Sequence, residues 1–274
     1  MGLSSTNIWP TITPTRRSQM KRYVDILRIL VERSLKVRYR GSILGAYWSL
    51  LNPLIMTGVY AALFGAAFAQ YYNDSIISYT LAAFTGMVVI RFFSTSTAQA
   101  LSSIVNSGSL LNKMSLPMSA FPVAAIASNV YQLVIGVLPL LVLATLVFSR
   151  SVLNVVGLFF PLFSLVMVCT GIGLLVAALN VFFRDLPYFY DLVTFGLWIS
   201  CPIFYPAEIV PEQVRAFLVF HPIAPIIESV RQIVLSGAAP DVMMILPSLL
   251  SGSILLAFGW FSFQWLKPQF MDLL

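Results

Sequence analysis

Side chains that could take part in chemistry are few in this sequence, and they lie far apart. The single histidine, His221, has no cysteine or acidic cluster near it, so we expect it to make a structural hydrogen bond and not to bind a metal. A phosphate-binding loop of the ATPase type places glycine before a lysine, and no glycine directly precedes any lysine of this chain. These patterns predict no catalytic residues, no metal site and no cofactor bound by the chain itself.

Arg91 is the charged side chain with the most unusual surroundings, because it lies inside a long apolar run, roughly 18 Å of helix beyond Tyr79. An arginine at the centre of a bilayer costs about 2.5–3.5 kcal/mol unless water or a partner meets it. Three interpretations follow. The helix could sit higher, so that Arg91 reaches lipid phosphates; Arg91 could pair with Asp191; or it could face a transport path, where a guanidinium binds an anionic group.

The composition explains why charged side chains are so sparse. The chain is 59% apolar and 9% charged, whereas an ordinary soluble domain carries about 25% charged residues. Runs of roughly 20 apolar residues suit spanning helices, whereas barrel strands would alternate in polarity. We therefore predict an all-α polytopic membrane protein with six transmembrane helices, at about residues 42–69, 79–101, 119–148, 154–181, 188–204 and 244–266.

The distribution of positive charge predicts the orientation of these helices. Lysine and arginine favour the cytoplasmic side, and most of the sixteen fall on inner segments if the N-terminus lies inside. Six spans then place both termini in the cytoplasm. The N-terminal region is charged and lacks the apolar core of a cleavable signal, so the first span is expected to act as its own anchor. Cys169 and Cys201 lie in or beside apolar runs and are expected to be buried free thiols.

Residues 1–40 are predicted to form a cytoplasmic tail and an amphipathic helix, and residues 41–274 the transmembrane domain. In "RSQMKRYVDILRILVERSLKVRYR" the charges share one helix face. The opposite face is expected to meet acyl chains; it comprises Tyr23, Ile26, Leu27, Leu30, Val31 and Ser34. The helix is either a plain interfacial anchor or also the contact for a partner protein. In the first span, the kink expected at Pro53 after Asn52 either lines a cavity or serves packing.

Three segments in order, "YRGSILGAYWSLLNPLIMTGVYAALF", "FFRDLPYFYDLV" and "CPIFYPAEIVPEQVRAFLVFHPIAPIIESVRQIVLSG", resemble the membrane subunit of the ABC-2 type polysaccharide exporters. The resemblance implies a homodimer joined by two copies of a separate cytoplasmic ABC ATPase, which would bind ATP and Mg²⁺. The substrate would be a lipid-linked polysaccharide that passes between the two membrane subunits. Membrane lipids are further expected partners, nucleic acid is not, and the location implied is the bacterial inner membrane.

The inner connection between the second and third spans, residues 102–119, resembles the coupling helix that docks on the ATPase. Its alternative is an ordinary surface loop. A charge at Leu110 or Leu111 is expected to uncouple ATP hydrolysis from export if the docking assignment holds. In the short turn of "FFRDLPYFYD", Arg184 and Asp185 either contact the ATPase or the lipid diphosphate, or simply hold two spans at the interface. The candidate coupling residues are Asn106, Leu110, Leu111, Lys113, Arg184 and Asp185.

The outer segment 200–240 is too apolar for a free loop and too rich in proline for a span. We predict two short re-entrant helices here, in "EQVRAFLVF" and "APIIESVRQIVLSG". The resemblance makes them gate helices at the exit, and packing against the outer rim is the alternative. The candidate gate residues are Pro202, Pro206, Pro222, Pro225 and Arg231.

Aromatic rings stack on sugar faces, but they are also ordinary membrane residues. Besides Arg91, the candidates for a substrate path are Trp48, Tyr60, Phe195, Trp198, Phe204 and Tyr205. The segments "LNVFFRD", "NPL" and "HPIAP" favour the O-antigen branch of the exporters. The alternatives are a permease for capsule, teichoic acid or a small lipophilic substrate. A secondary transporter is disfavoured because no internal repeat is visible, and an enzyme because no constellation of His, Asp and Glu is present.

Overall fold

The computed structural model describes residues 16–111, 116–205, 209–211, 221–236 and 238–272. Every regular element in those residues is helical, so the all-α prediction is confirmed. The ten α-helices of the described residues are α1 (Arg16–Tyr39), α2 (Trp48–Phe68), α3 (Ile76–Ser103), α4 (Gly108–Leu111), α5 (Ala120–Gln132), α6 (Leu138–Phe148), α7 (Val152–Phe182), α8 (Leu186–Ser200), α9 (Ala224–Leu235) and α10 (Val242–Leu266). A π-helical turn, Leu133–Val137, joins α5 to α6 in one continuous rod.

Five helical segments of the described residues are long and apolar enough to cross a membrane: Trp48–Tyr71, Ile76–Ser103, Ala120–Phe148, Val152–Phe182 and Val242–Phe270. They correspond to five of the six predicted spans. The remaining prediction, at 188–204, falls on α8, which has 15 residues and is therefore only about 22 Å long. This length is short of the hydrocarbon core of roughly 30 Å.

The first span begins later than the sequence predicts, at Trp48 and not at residue 42. Gly41 and Gly45 have φ angles of 77° and 49°, a left-handed conformation that glycine adopts without steric cost. These two residues interrupt the α-helical conformation between α1 and α2. The glycines therefore separate α1 from the first span.

The centre of the bundle is formed by α3 and α7, the most deeply buried of the five spanning segments. Small residues bring α7 and α10 into backbone contact. A Cβ atom added to Gly259 would lie 1.9 Å from the carbonyl oxygen of Gly171, and the Ser164 hydroxyl donates to the carbonyl of Ser248. Close approach of this kind is how helices associate when lipid supplies no hydrophobic driving force.

Helix α1 is amphipathic as predicted, and its six predicted apolar-face residues are all less exposed than the charged face. The apolar face packs on α5. The Tyr23 hydroxyl lies 3.5 Å from that of Ser119, and the Ser34 hydroxyl donates to that of Ser128 over 3.5 Å. On the exposed face Lys36 pairs with Glu32 at 2.7 Å. The helix is therefore held by protein contacts within the same chain.

The second of the two segments predicted to be short re-entrant helices in 200–240 is helical and forms α9; its re-entrant position stays a prediction. It packs against α3, α6, α7 and α10, and its buried side chains include Ile226, Ile227, Val230, Ile233 and Val234. The other predicted helix, "EQVRAFLVF", lies outside the described residues, as do Pro206 and Gly237. Both cysteines are buried free thiols, as predicted.

Candidate functional site

A cavity of about 440 Å³ lies between the end of α1, the start of α2, the middle of α3, and the end of α5 with the π-helical turn that follows it. We call it the arginine cavity. Its polar lining residues are Arg38, Tyr39, Ser42, Trp48, Ser49, Asn52, Arg91, Thr95, Asn129 and Gln132. Pro53 also lines it, so the Asn52-Pro53 interruption borders a cavity, one of the two roles considered for it. None of the described residues that line the cavity carries a carboxylate.

Arg38 is held in this cavity by neutral oxygens. Its Nη1 donates to Asn129 Oδ1 over 3.0 Å, and its Nη2 donates to Gln99 Oε1. Asn129 Nδ2 also donates to Gln99 Oε1, over 2.9 Å. The sequence suggested only an interfacial anchor for Arg38. Asn129 and Gln132, two amides within an apolar span, are the signal that could have indicated a polar interior here.

Arg91 lines the same cavity and is exposed on the surface of the single chain. It forms no hydrogen bond or ion pair with any residue that the structure describes. The interpretation that pairs Arg91 with Asp191 is therefore wrong for this conformation of the chain. The cavity combines two guanidinium groups, one fixed by amides and the other without a described partner.

A second cavity, of about 530 Å³, lies under α1, at the C-terminal end of α3 and the N-terminal end of α5. We call it the serine cavity, because Ser34, Ser102, Ser103 and Ser107 line it together with Asn106 and Arg33. Arg38 lines both cavities. The Arg38 side chain therefore stands between a hydroxyl-rich space and the arginine cavity.

Four of the aromatic path candidates form one cluster between α2, α8 and the segment after α8. The rings of Tyr60 and Phe204 are stacked, with centroids 3.6 Å apart and an interplanar angle of 15°. Trp198 lies edge-on to Phe204, with centroids 5.7 Å apart, and Phe195 stacks on Trp198 at 6.2 Å. The other two candidates lie elsewhere: Trp48 lines the arginine cavity, and the Tyr205 hydroxyl donates to the carbonyl of Ser200 over 3.1 Å.

The coupling candidates do not share one environment. Helix α4 begins at Gly108, where the sequence predicts a helix start, and Asn106 before it is exposed. Leu111 is only 5% exposed and belongs to an apolar cluster with Ile104 and Phe121. Leu110 is half-buried at the edge of that cluster. Arg184 and Asp185 are exposed in the turn before α8, and Lys113 lies outside the described residues.

Among the described gate candidates, Arg231 binds the backbone at Pro202. This side chain is 5% exposed; its Nη2 donates to the carbonyl oxygens of Pro202, over 2.8 Å, and Ile203, over 3.3 Å. Its Nη1 lies 3.4 Å from Glu228 Oε2. Pro202 is buried, whereas Pro222 and Pro225, at the start of α9, are half-buried. Arg231 thus fixes the chain after α8 against α9.

Comparison with known proteins gives a family and three relatives. Residues 26–235 match the family model described as ABC-2 type transporter. The chain is 28% identical over 255 residues to the "O-antigen export system permease protein RfbA" of Klebsiella pneumoniae, covering 91% of this chain and 95% of that protein. It is 30% identical over 227 residues to the protein of the same name from Myxococcus xanthus, covering 81% and 85%. It is 20% identical over 218 residues to the "Polysialic acid transport protein KpsM" of Escherichia coli, covering 78% and 84%.

Proposed function

Because the chain belongs to the ABC-2 type transporter family, we propose that it is the permease subunit of a bacterial polysaccharide exporter. Its substrate is a lipid-linked O-antigen, which it moves from the cytoplasmic to the outer side of the inner membrane. The observation that carries this proposal is the similarity to O-antigen export permeases over almost the whole length of both chains.

The working unit we propose is a homodimer with two copies of a separate ABC ATPase, which binds ATP and Mg²⁺. The chain itself is not an enzyme. In this arrangement α8 is a short fifth span, both termini are cytoplasmic, α4 contacts the ATPase, and segment 200–240 surrounds the outer exit. The proposed orientation of the helices across the membrane rests on the distribution of lysine and arginine and on the family.

The positions of the polar and aromatic groups along α2 support an export path. Trp48 and Asn52 at the start of α2 border the arginine cavity, and Tyr60 joins the aromatic cluster roughly 18 Å further along the helix. Arginine recognises phosphate, and aromatic rings stack on sugar faces without requiring one particular sugar. A phosphate at the inner end and sugars along the aromatic rings correspond to the two parts of a lipid-linked glycan.

The experiment that tests this function is removal of the chain from its producing bacterium. The expected result is loss of O-antigen from the cell surface, with the glycan accumulating inside the cell. Expression of the wild-type chain from a plasmid should restore surface O-antigen. A strain whose partner ATPase lacks its nucleotide-binding lysine is the matched control and should show the same defect. Loss of capsule with normal O-antigen would favour the alternative suggested by the KpsM similarity, and intact surface glycans of both kinds would contradict the proposal.

A further inference from the structure

The arginine cavity has the composition of an anion site. Two guanidinium groups, of Arg38 and Arg91, line it, and none of its described lining residues is acidic. Around them are side chains that can donate hydrogen bonds, including Asn52 and Thr95. Positive charge without a counter-charge is costly at membrane depth, so the arrangement is stabilised when an anion enters.

The two arginines differ in how they are held, and the difference suggests separate roles. Arg38 is fixed by Asn129 and Gln99, which are neutral and leave its charge uncompensated. Arg91 makes no described hydrogen bond or ion pair. A guanidinium presents donors in a planar fork that matches two oxygens of a phosphate group. Arg91 is therefore placed to bind the anion directly, and Arg38 to supply a preorganised second charge.

The serine cavity gives this site a polar approach from the inner ends of the helices. Ser34, Ser102 and Ser103 line it. Of the residues that the structure describes, only Arg38 lines both cavities. Arg91 lies 12 residues before Ser103, or roughly 18 Å of helix. A phosphate group that enters beside α1 would therefore meet Arg38 before it meets Arg91.

We infer that the arginine cavity binds the phosphate or diphosphate headgroup of a lipid, with Arg91 as the direct ligand. This inference rests on the proposed function for the identity of the lipid, but the anion chemistry follows from the cavity alone.

The test is a binding measurement on the full chain purified in an uncharged detergent, with native mass spectrometry to count bound ligand. The probes are farnesyl diphosphate, farnesol and inorganic diphosphate. We expect farnesyl diphosphate to bind the wild-type chain, and Arg91→Leu to weaken its binding by about tenfold or more, since one charge-assisted hydrogen bond is lost. Arg91→Lys should recover part of the affinity, because it keeps the charge without the fork.

The matched control is Arg28→Leu, which removes the same charge from the exposed face of α1 away from the cavity. It should bind farnesyl diphosphate as the wild-type chain does. Farnesol should bind weakly and equally to all variants. Inorganic diphosphate that binds as tightly as farnesyl diphosphate would retain the anion site and overturn its assignment to a lipid.

Equal affinity of wild-type and Arg91→Leu chains for farnesyl diphosphate would overturn the site altogether. That result leaves the exporter proposal untouched, because export is measured separately in cells. Conversely, a chain that binds farnesyl diphosphate through Arg91 but is not needed for any surface glycan would contradict the proposed function and retain the site.

Discussion

His221 shows how one side chain can start a helix in this fold. Its Nδ1 accepts hydrogen bonds from the backbone N–H groups of Ile223 and Ala224, over 3.2 and 3.1 Å. These donors belong to the first turn of α9, where no intrahelical acceptor exists. The structural role expected for this histidine is therefore confirmed, and it requires Nδ1 to be unprotonated.

The cap predicts a dependence of stability on pH. Burial lowers the pKa of His221 below its usual value near 6.5. The unfolded chain takes up this proton near pH 6.5, whereas the native chain does so only at lower pH. The stabilising contribution is therefore complete above pH 6.5 and is lost as pH falls through the lowered pKa. We expect the apparent Tm in detergent, followed by tryptophan fluorescence, to fall by a few degrees between pH 7.5 and 5.5.

The control for this prediction is His221→Asn, since asparagine keeps an oxygen that can cap the helix but does not titrate. Its Tm at pH 7.5 should be close to that of the wild-type chain, and its loss at pH 5.5 should be smaller. An equal loss in both proteins would show that another group causes the pH dependence.

For single residues, the sequence predicted which positions are unusual better than it predicted which side chains contact one another. Arg91 was identifiable because a charge inside an apolar run is costly wherever the helix ends. Arg38 was not identifiable as a cavity residue, because its partners Gln99 and Asn129 lie 61 and 91 positions away along the chain. Only the folded bundle brings these three residues together.

Among the helices, the contact of α7 with α10 depends on glycine at two facing positions. A Cβ atom on Gly259 would lie 1.9 Å from Gly171 O, which is backbone and cannot turn aside. We expect Gly259→Ala to destabilise the chain by at least about 1–3 kcal/mol, the usual cost of overpacking. Thermal unfolding in detergent measures this effect. Gly58→Ala is the control, because no atom lies within 4 Å of its added Cβ; comparable Tm values for the two variants would refute the close contact.

Helix α4 has both a buried and an exposed position, so its packing within the chain and its contact with the ATPase can be tested separately. The charge at Leu111 that we considered from the sequence would disrupt the apolar cluster that buries this side chain, and such losses cost about 2–5 kcal/mol. Ser109 is exposed on the same short helix. If α4 docks on the ATPase, Ser109→Glu should lower export while the protein level and basal ATP hydrolysis stay near those of the wild-type complex.

The control for α4 is Gln269→Glu, which adds the same charge at an exposed position near the other end of the chain. Export and ATP hydrolysis should be unchanged in this variant. If Ser109→Glu also exports normally at equal protein level, then α4 is not the docking element.

Apolar run length predicted the long helices because each needs only its own sequence to be recognised. At one segment the helix in the structure is shorter than the apolar run. Residues 188–204 are apolar enough for a span, but α8 ends at Ser200, two residues before Pro202. The face of α1 was assigned to lipid because periodicity shows which side is apolar and not what covers it. The cover is α5, a helix about 90 residues further along.

The surface of the whole molecule has an exposed apolar side formed by α2 and α8. The segment that contains α2 is the least buried of the five spanning segments. Only 17% of the residues in its apolar stretch are buried by the rest of the chain. Beside it, α8 exposes Leu192, Phe195 and Ile199. Lipid or a second subunit must cover these side chains. The homodimer we propose places α2, α8 and the aromatic cluster on both sides of one path.

This assembly predicts a cross-link at the outer end of α8. Ser200 is exposed at the end of that helix, whereas both native cysteines are buried and can be replaced by alanine first. In that background, Ser200→Cys should form a disulfide between the two copies, stop export and leave ATP hydrolysis measurable, because the exit is closed while the motor is intact. Ser253→Cys, exposed on α10, is the control and should remain monomeric on a non-reducing gel. Continued export from a fully cross-linked dimer would exclude the gate, and a purified complex with only one copy of this chain beside its ATPase would exclude the dimer itself.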